Sequence, residues 1–224
     1  MVGPILKRRH MTARLSGARA RRRWRFHTWP HILFSDESRF SLRFNDGHYR
    51  VYRRRGECFT NQCVYESDRF GGGTVMVWAE ICHDGCTQLK IVQGTLNAVK
   101  YRDDILEPIV LPFLPQRNLD HAFQHDNAKC HVARVCQGFL NQNHIRILHW
   151  PAISPDLSPI ARLWDELGRR GRHCQNPPET LQELRDALVH EWNNTPQAFI
   201  QLLIGFIGRR CEAVVASRGG HTRY

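Results

Sequence analysis

The spacing of apolar residues changes period along this 224-residue chain, and the change limits its fold more than any other feature. Between residues 31 and 92 the apolar runs are short, β-prone or alternating. They are His31-Ile-Leu-Phe-Ser-Asp36, Arg39-Phe-Ser-Leu-Arg-Phe44, Tyr49-Arg-Val-Tyr-Arg53, Thr74-Val-Met-Val-Trp-Ala79 and Thr87-Gln-Leu-Lys-Ile-Val92. Turn residues Asn45-Asp46-Gly47 and Asp84-Gly85 separate members of the series, which predicts a meander of antiparallel strands. From Asn97 to Pro112 the period is helical, with Asn97 a candidate N-cap. A strand then returns at Ala122–Asp126, a helix at Lys129–Asn141, and a strand at Ile145–Trp150. The rest reads as helix, opening at Ser158 or Pro159, at Pro177 and at Pro196. Strands first, then alternation, then helices predict an α/β fold. Its mixed sheet is antiparallel through the first three strands, parallel afterwards, and flanked by helices. No linker divides residues 30–224, which read as one domain behind a basic arm at residues 1–29.

Charge is concentrated in that arm. Nine of the 32 Lys and Arg precede the first acid, Asp36, leaving 23 against 21 Asp and Glu in the remainder. Such an arm suits a polyanion, because each base that neutralises a phosphate releases a condensed counterion. Lys7, Arg8, Arg9, Arg21, Arg22, Arg23 and Arg25 are therefore candidate DNA contacts, with a passive tail or localisation signal as the alternative. Trp24 and Phe26 are interleaved with these bases and available to stack or dock. Arg53, Arg54 and Arg55 are further candidate phosphate contacts. No apolar run reaches the roughly 18 residues of a membrane span. The N-terminus also lacks the apolar segment of a signal peptide. The eight cysteines, in a chain long enough to bury a core and without such a signal, read as reduced thiols. Cys82 and Cys86 flank a hairpin turn rather than forming a zinc knuckle.

Two of the strands end on carboxylates: Phe34-Ser-Asp36 and Gln124-His-Asp126. Ligands in α/β sheets gather at strand ends. Two carboxylates brought together there raise one another's pKa, a conflict that a divalent cation removes. The competing reading makes each aspartate a loop cap. Glu37 faces the opposite side of its strand from Asp36. His125 and His131 flank Asp126, as phosphate contacts or as satisfied surface histidines. Asp156 reads as a turn or cap residue, and Trp78, Trp150, Trp164 and Trp192 as packing residues.

The longer motifs are Ile32-Leu-Phe-Ser-Asp-Glu-Ser-Arg-Phe40, Val51-Tyr-Arg-Arg-Arg-Gly-Glu57, Gly72-Gly-Thr-Val-Met-Val-Trp78 and Phe123-Gln-His-Asp-Asn-Ala128. They continue with Trp150-Pro-Ala-Ile-Ser-Pro-Asp-Leu-Ser-Pro-Ile160 and Leu163-Trp-Asp-Glu-Leu167. Together, from about residue 4 to the C-terminus, they resemble the DDE catalytic domain of the Tc/mariner superfamily of DNA transposases. The resemblance implies an RNase H-like fold and metal-dependent DNA cleavage and strand transfer. It implies Mg²⁺ or Mn²⁺ in a two-ion site, DNA partners (transposon ends and target), a homodimer, and a nuclear location. It places the first two metal-binding carboxylates on Asp36 and Asp126. The third carboxylate of the family falls, after thirty-four intervening residues, on Ala161, which offers no ligand atom. The expected consequence is a weakened metal site and impaired catalysis. Asp165, one helical turn on, is the nearest replacement. A non-catalytic DNA-binding or assembly module is the alternative function. Ala79-Glu80 and Lys129-Cys130-His131 also depart from the family pattern. Pro4–His10 resembles the linker that follows the family's N-terminal helix-turn-helix, so the chain is expected to be a truncated, degenerate copy.

Overall fold

A computed structural model describes residues 5–24, 28–42, 73–114, 122–172 and 177–224. Its centre is strand β1 (Ile32–Ser41). On one side β1 pairs antiparallel with β2 (Thr74–Cys82). On the other it pairs parallel with β5 (Ala122–Gln124). Strand β2 turns back through His83-Asp84 into β3 (Gly85–Cys86), and β4 (Lys90–Val92) also pairs with β2. The sheet is thus mixed, with its antiparallel part first in sequence, as the periodicity predicts. The expected strand at Tyr49–Arg53 and its turn lie outside the described residues. The expected strand at Ile145–Trp150 shrinks to one parallel bridge, Ile147 to Phe123. Its partner β5 is three residues long, so there is little backbone to pair with.

Successive β1 side chains point to opposite faces of the sheet, and both faces are covered. Ile32 and Phe34 pack with Ile160, Leu163, Trp164 and Leu167 of α5 (Pro159–Arg172). Helices α6 (Leu181–Asn193), α7 (Gln197–Gly205) and α8 (Ile207–Ala216) complete that layer. Leu33 faces the other way, into a cluster with Trp78, Tyr101, Ile105, Phe123 and Leu140. The cover there is α2 (Ala98–Tyr101), a π-helical stretch Arg102–Val110, α3 (Leu111–Phe113) and α4 (Arg134–Gln142). Asn97 caps α2 as expected, accepting from the Lys100 N–H at 2.9 Å. Pro108 sits inside the π-helical stretch, where the wider turn displaces the carbonyl that an α-helix would press against its ring. Three helices differ from expectation. Helix α4 begins at Arg134 rather than Lys129, because the intervening residues form a turn on the Ala128 carbonyl. Helix α6 begins only at Leu181, because Thr180 rather than Pro177 supplies the cap, accepting from the Glu183 N–H at 3.1 Å. The single helix expected after Pro196 breaks at Phe206 into α7 and α8.

The arm contains a helix, α1 (Arg8–Arg21), packed on α8 with Ala18 buried and Arg14 1% exposed. Gly219, at φ +86°, lets the C-terminal tail pass against the Met11 backbone. All four tryptophans read as packing residues, Trp78, Trp150, Trp164 and Trp192, are buried. Cys130, Cys136 and Cys211 are free thiols. The expected hairpin is present, but its turn is His83-Asp84, because Gly85 pairs with Cys82 as the first residue of β3.

Candidate active site

The two aspartates come together, although Asp36 lies inside β1 rather than at its end, because the pairing with β2 carries that strand on to Ser41. In the parallel pairing Phe34 stands opposite Gln124, and Asp36 and Asp126 each follow two residues later. Strand β5 ends at Gln124 while β1 runs on to Ser41, so the sheet opens beside Asp36. This is the carboxyl end of parallel strands, where α/β sheets place their ligands.

Asp36 lies on the α5 face, beside the Trp164 indole. Burial, then the neighbouring charges of Glu37 and Asp126, push its pKa up to about 7. Asp126 behaves differently. Burial alone would raise its pKa, but hydrogen bonds from His131 and the Ala128 N–H outweigh that and hold it below the ordinary carboxylate range. Both bonds fall on Oδ1, at 2.7 Å each.

The chain after β5 turns back beneath the sheet end and brings His131 there, 2% exposed. Its Nδ1 meets Asp126 and its Nε2 meets Glu37 Oε1 at 3.1 Å. Burial alone would lower its pKa; the bonds to Asp126 and Glu37 carry it instead up to about 10. The Tyr101 ring packs against it at 4.2 Å between centroids, and the His125 ring stacks on it at 5.1 Å. His125 is buried, and burial together with the charge of His131 pushes its pKa down to about 4. Neither histidine is a surface group. Glu37 does face away from Asp36, as strand alternation requires, and its partner is His131. Among the described residues, Glu37, Asp126 and His131 are the one trio of potential metal ligands, with ligand atoms within 4.8 Å of one another. The sequence signal for His131 was a histidine one tight turn after a strand-end aspartate, which by itself does not distinguish a bridge from a surface group.

Ala161 lies half-buried in the first turn of α5, three residues before Trp164. Asp165 does not take its place: its side chain is 60% exposed and pairs outward with Arg162 at 3.4 Å. Asp126 adds its charge to that of Glu37 on Asp36, a conflict that a divalent cation would relieve, while Ala161 presents only a methyl group. Asp156 is no ligand either; it binds Arg14 and Thr222.

Of the candidate DNA contacts, Lys7, Arg8, Arg9, Arg22 and Arg23 are exposed, and Arg25 lies outside the described residues, as do Arg53, Arg54 and Arg55. Arg21 is turned inward. It donates to the Gly17 and His149 carbonyls and lies over the Trp24 and Trp150 rings, and burial lowers its pKa.

Residues 31–185 match the DDE superfamily endonuclease family. The transposable element Tc1 transposase of Caenorhabditis elegans is 32% identical over 224 residues, which is 99% of this chain and 80% of that protein. The fold is that of the catalytic domain of Mos1 mariner transposase, with a TM-score of 0.74 and 21% identity over 100% of both chains. A Mos1 paired end complex with Mg superposes with a TM-score of 0.80 and 22% identity, over 100% of this chain and 66% of the Mos1 chain. The sheet is accordingly RNase H-like.

Proposed function

We propose, on the premise that this chain belongs to the DDE superfamily endonucleases of the Tc1/mariner transposases, that it is a transposase catalytic domain whose DNA-cleaving centre lacks one carboxylate. The observation that carries this reading is that Asp36 and Asp126 each follow two residues after the last parallel pair, Phe34 with Gln124, with Ala161 on the helix packed against β1. A bound Mg²⁺ or Mn²⁺ supplies activation of the attacking oxygen and stabilisation of the leaving oxygen in displacement at phosphorus. Asp36 and Asp126 are the residues to hold it. Asp126 keeps Oδ2 available, since Oδ1 is occupied by two donors. Trp164 and Phe40, with rings 6.3 Å apart, pack on the same face of β1 as Asp36. A two-ion site needs the third carboxylate. Misplacement of reacting groups by about 1 Å already costs roughly a hundredfold in rate.

DNA is the partner, gripped in part by the exposed bases of α1. Transposon ends and target DNA as substrates, pairing of two copies, and a nuclear location belong to the same reading. Ala161 favours a second possibility, a DNA-binding or assembly module that no longer cuts.

Nicking of supercoiled DNA in Mn²⁺ separates these readings. Three proteins are compared: the native chain, Ala161→Glu, and Ala161→Glu combined with Asp126→Ala. Nicking by Ala161→Glu alone is expected. Equal nicking by the native chain overturns the impaired-centre reading. DNA binding without nicking by any of the three supports the module.

A further inference from the structure

Glu37, His131 and Asp126 form a bridge on the α2 side of the sheet, opposite the face on which Asp36 points. The two bonds to Asp126 fall on the same oxygen, Oδ1, and Oδ2 carries neither. The Asp126 side chain is 56% exposed, so on its own it would sample several rotamers. His131 is buried, and its plane is held by the Tyr101 ring. Its second ring nitrogen is tied to Glu37, the residue next to Asp36 on β1. The bridge therefore refers the carboxylate at the end of one strand to the strand that carries the other, where β5 has already ended and no ladder hydrogen bond can do so.

We propose that His131 is a positioning residue for metal binding: held by Glu37 through one ring nitrogen, it fixes Asp126 through the other, so that Oδ2 faces the cation beside Asp36. Groups that hold a ligating side chain in place typically govern metal affinity by about 10–100-fold. The bridge also gives Glu37 a function distinct from ligation. The inference rests on the two-aspartate reading above.

The test is Mn²⁺ binding, followed by the electron paramagnetic resonance signal of free Mn²⁺, to the full chain carrying Ala161→Glu. Two further variants are made in that background. In His131→Asn the side-chain amide lies where Nδ1 lies and keeps the bond to Asp126. In His131→Gln the amide reaches towards Glu37 and gives up Asp126. Thermal unfolding checks that each is folded. His131→Asn is expected to bind Mn²⁺ close to the Ala161→Glu parent, and His131→Gln about 10–100-fold more weakly. A histidine that serves only the fold would change the melting temperature and leave both affinities equal, which overturns the proposal. If the Ala161→Glu parent itself binds no Mn²⁺, the two-aspartate reading fails and this inference falls with it.

Discussion

Arg14 and Asp156, 142 residues apart, meet as a bidentate pair, Nη1 to Oδ1 and Nη2 to Oδ2, at 2.6 Å each. Arg14 also donates to the carbonyls of Ile153, Gly219 and Gly220, each at 2.9 Å. One buried guanidinium thus ties α1, the loop that opens α5, and the C-terminal tail together. Ile153 holds φ at 54°, a costly value for a β-branched residue, and that loop is fixed by the same bonds. Removing one partner of a buried pair leaves the other uncompensated. Arg14→Ala should cost about 3–5 kcal/mol in urea unfolding. An unchanged midpoint would show that the pair contributes nothing.

Gly219 tests the same junction without touching a charge. A Cβ there would lie 2.1 Å from the Met11 carbonyl oxygen, and the positive φ of 86° penalises any L side chain. Gly219→Ala should lose at least about 1–2 kcal/mol from the backbone conformation alone. It should also loosen α1, so that trypsin cuts within the helix faster than within the sheet. Equal cleavage rates in variant and native chain would argue against α1 being held at this point.

Asp36 gives a pH dependence with a definite sign. Its folded pKa of about 7 lies above its unfolded value of 3.8, so the folded state binds the extra proton between them. Its contribution is most favourable below about pH 4, declines as pH rises towards 7, and is constant above. Asp36→Asn removes that decline, so its stability relative to the native chain should improve from pH 4 to pH 8. His131, raised to about 10 from 6.5, contributes stability that is complete below 6.5 and lost as pH rises through 10. The Asp36→Asn difference should therefore be flat above pH 7, where of these two groups only His131 still titrates. Melting temperatures across that range distinguish the two windows.

Ala161→Glu should act in opposite directions with and without metal. A third carboxylate beside Asp36 and Asp126 adds repulsion, so the metal-free variant should melt lower than the native chain near neutral pH. Mn²⁺ at about 100 times its dissociation constant should then stabilise the variant by about 2.7 kcal/mol, and the native chain by less. Calorimetric scans with and without Mn²⁺ read both effects. Equal stabilisation of the two proteins would mean that position 161 does not face the metal.

The arm's basic residues should divide into two kinds. Exposed Arg22 and Arg23 are available to phosphates, and replacing both with alanine should lower the slope of log K against log salt by about 2. Arg21→Ala should leave that slope nearly unchanged and lower stability instead. Its guanidinium lies 5.7 Å from the centroid of Trp24 and 5.2 Å from that of Trp150, and donates to the His149 carbonyl. Salt titrations of DNA binding, paired with melting curves, make the comparison.

The sequence by itself determined the order of strands and helices, the placement of Asp126 just past a strand end, and the alanine at position 161, whereas Asp36 read as a strand end and lies inside β1. These are local properties: apolar period, turn residues and motif spacing are written in consecutive residues. Even the opposed directions of Asp36 and Glu37 follow from strand alternation alone. Only the tertiary structure decided which polar groups meet. Asp156 read as a turn residue and is the partner of Arg14, from the other end of the chain. Arg21 read as a phosphate contact and is packed between tryptophans. His131 read as a surface group and bridges two carboxylates on different strands. A charged side chain has the same composition in solvent, on DNA or in a buried pair. Its role is set by what burial removes from water around it and by which distant residue supplies the compensating hydrogen bond. Neither is a property of its neighbours in sequence.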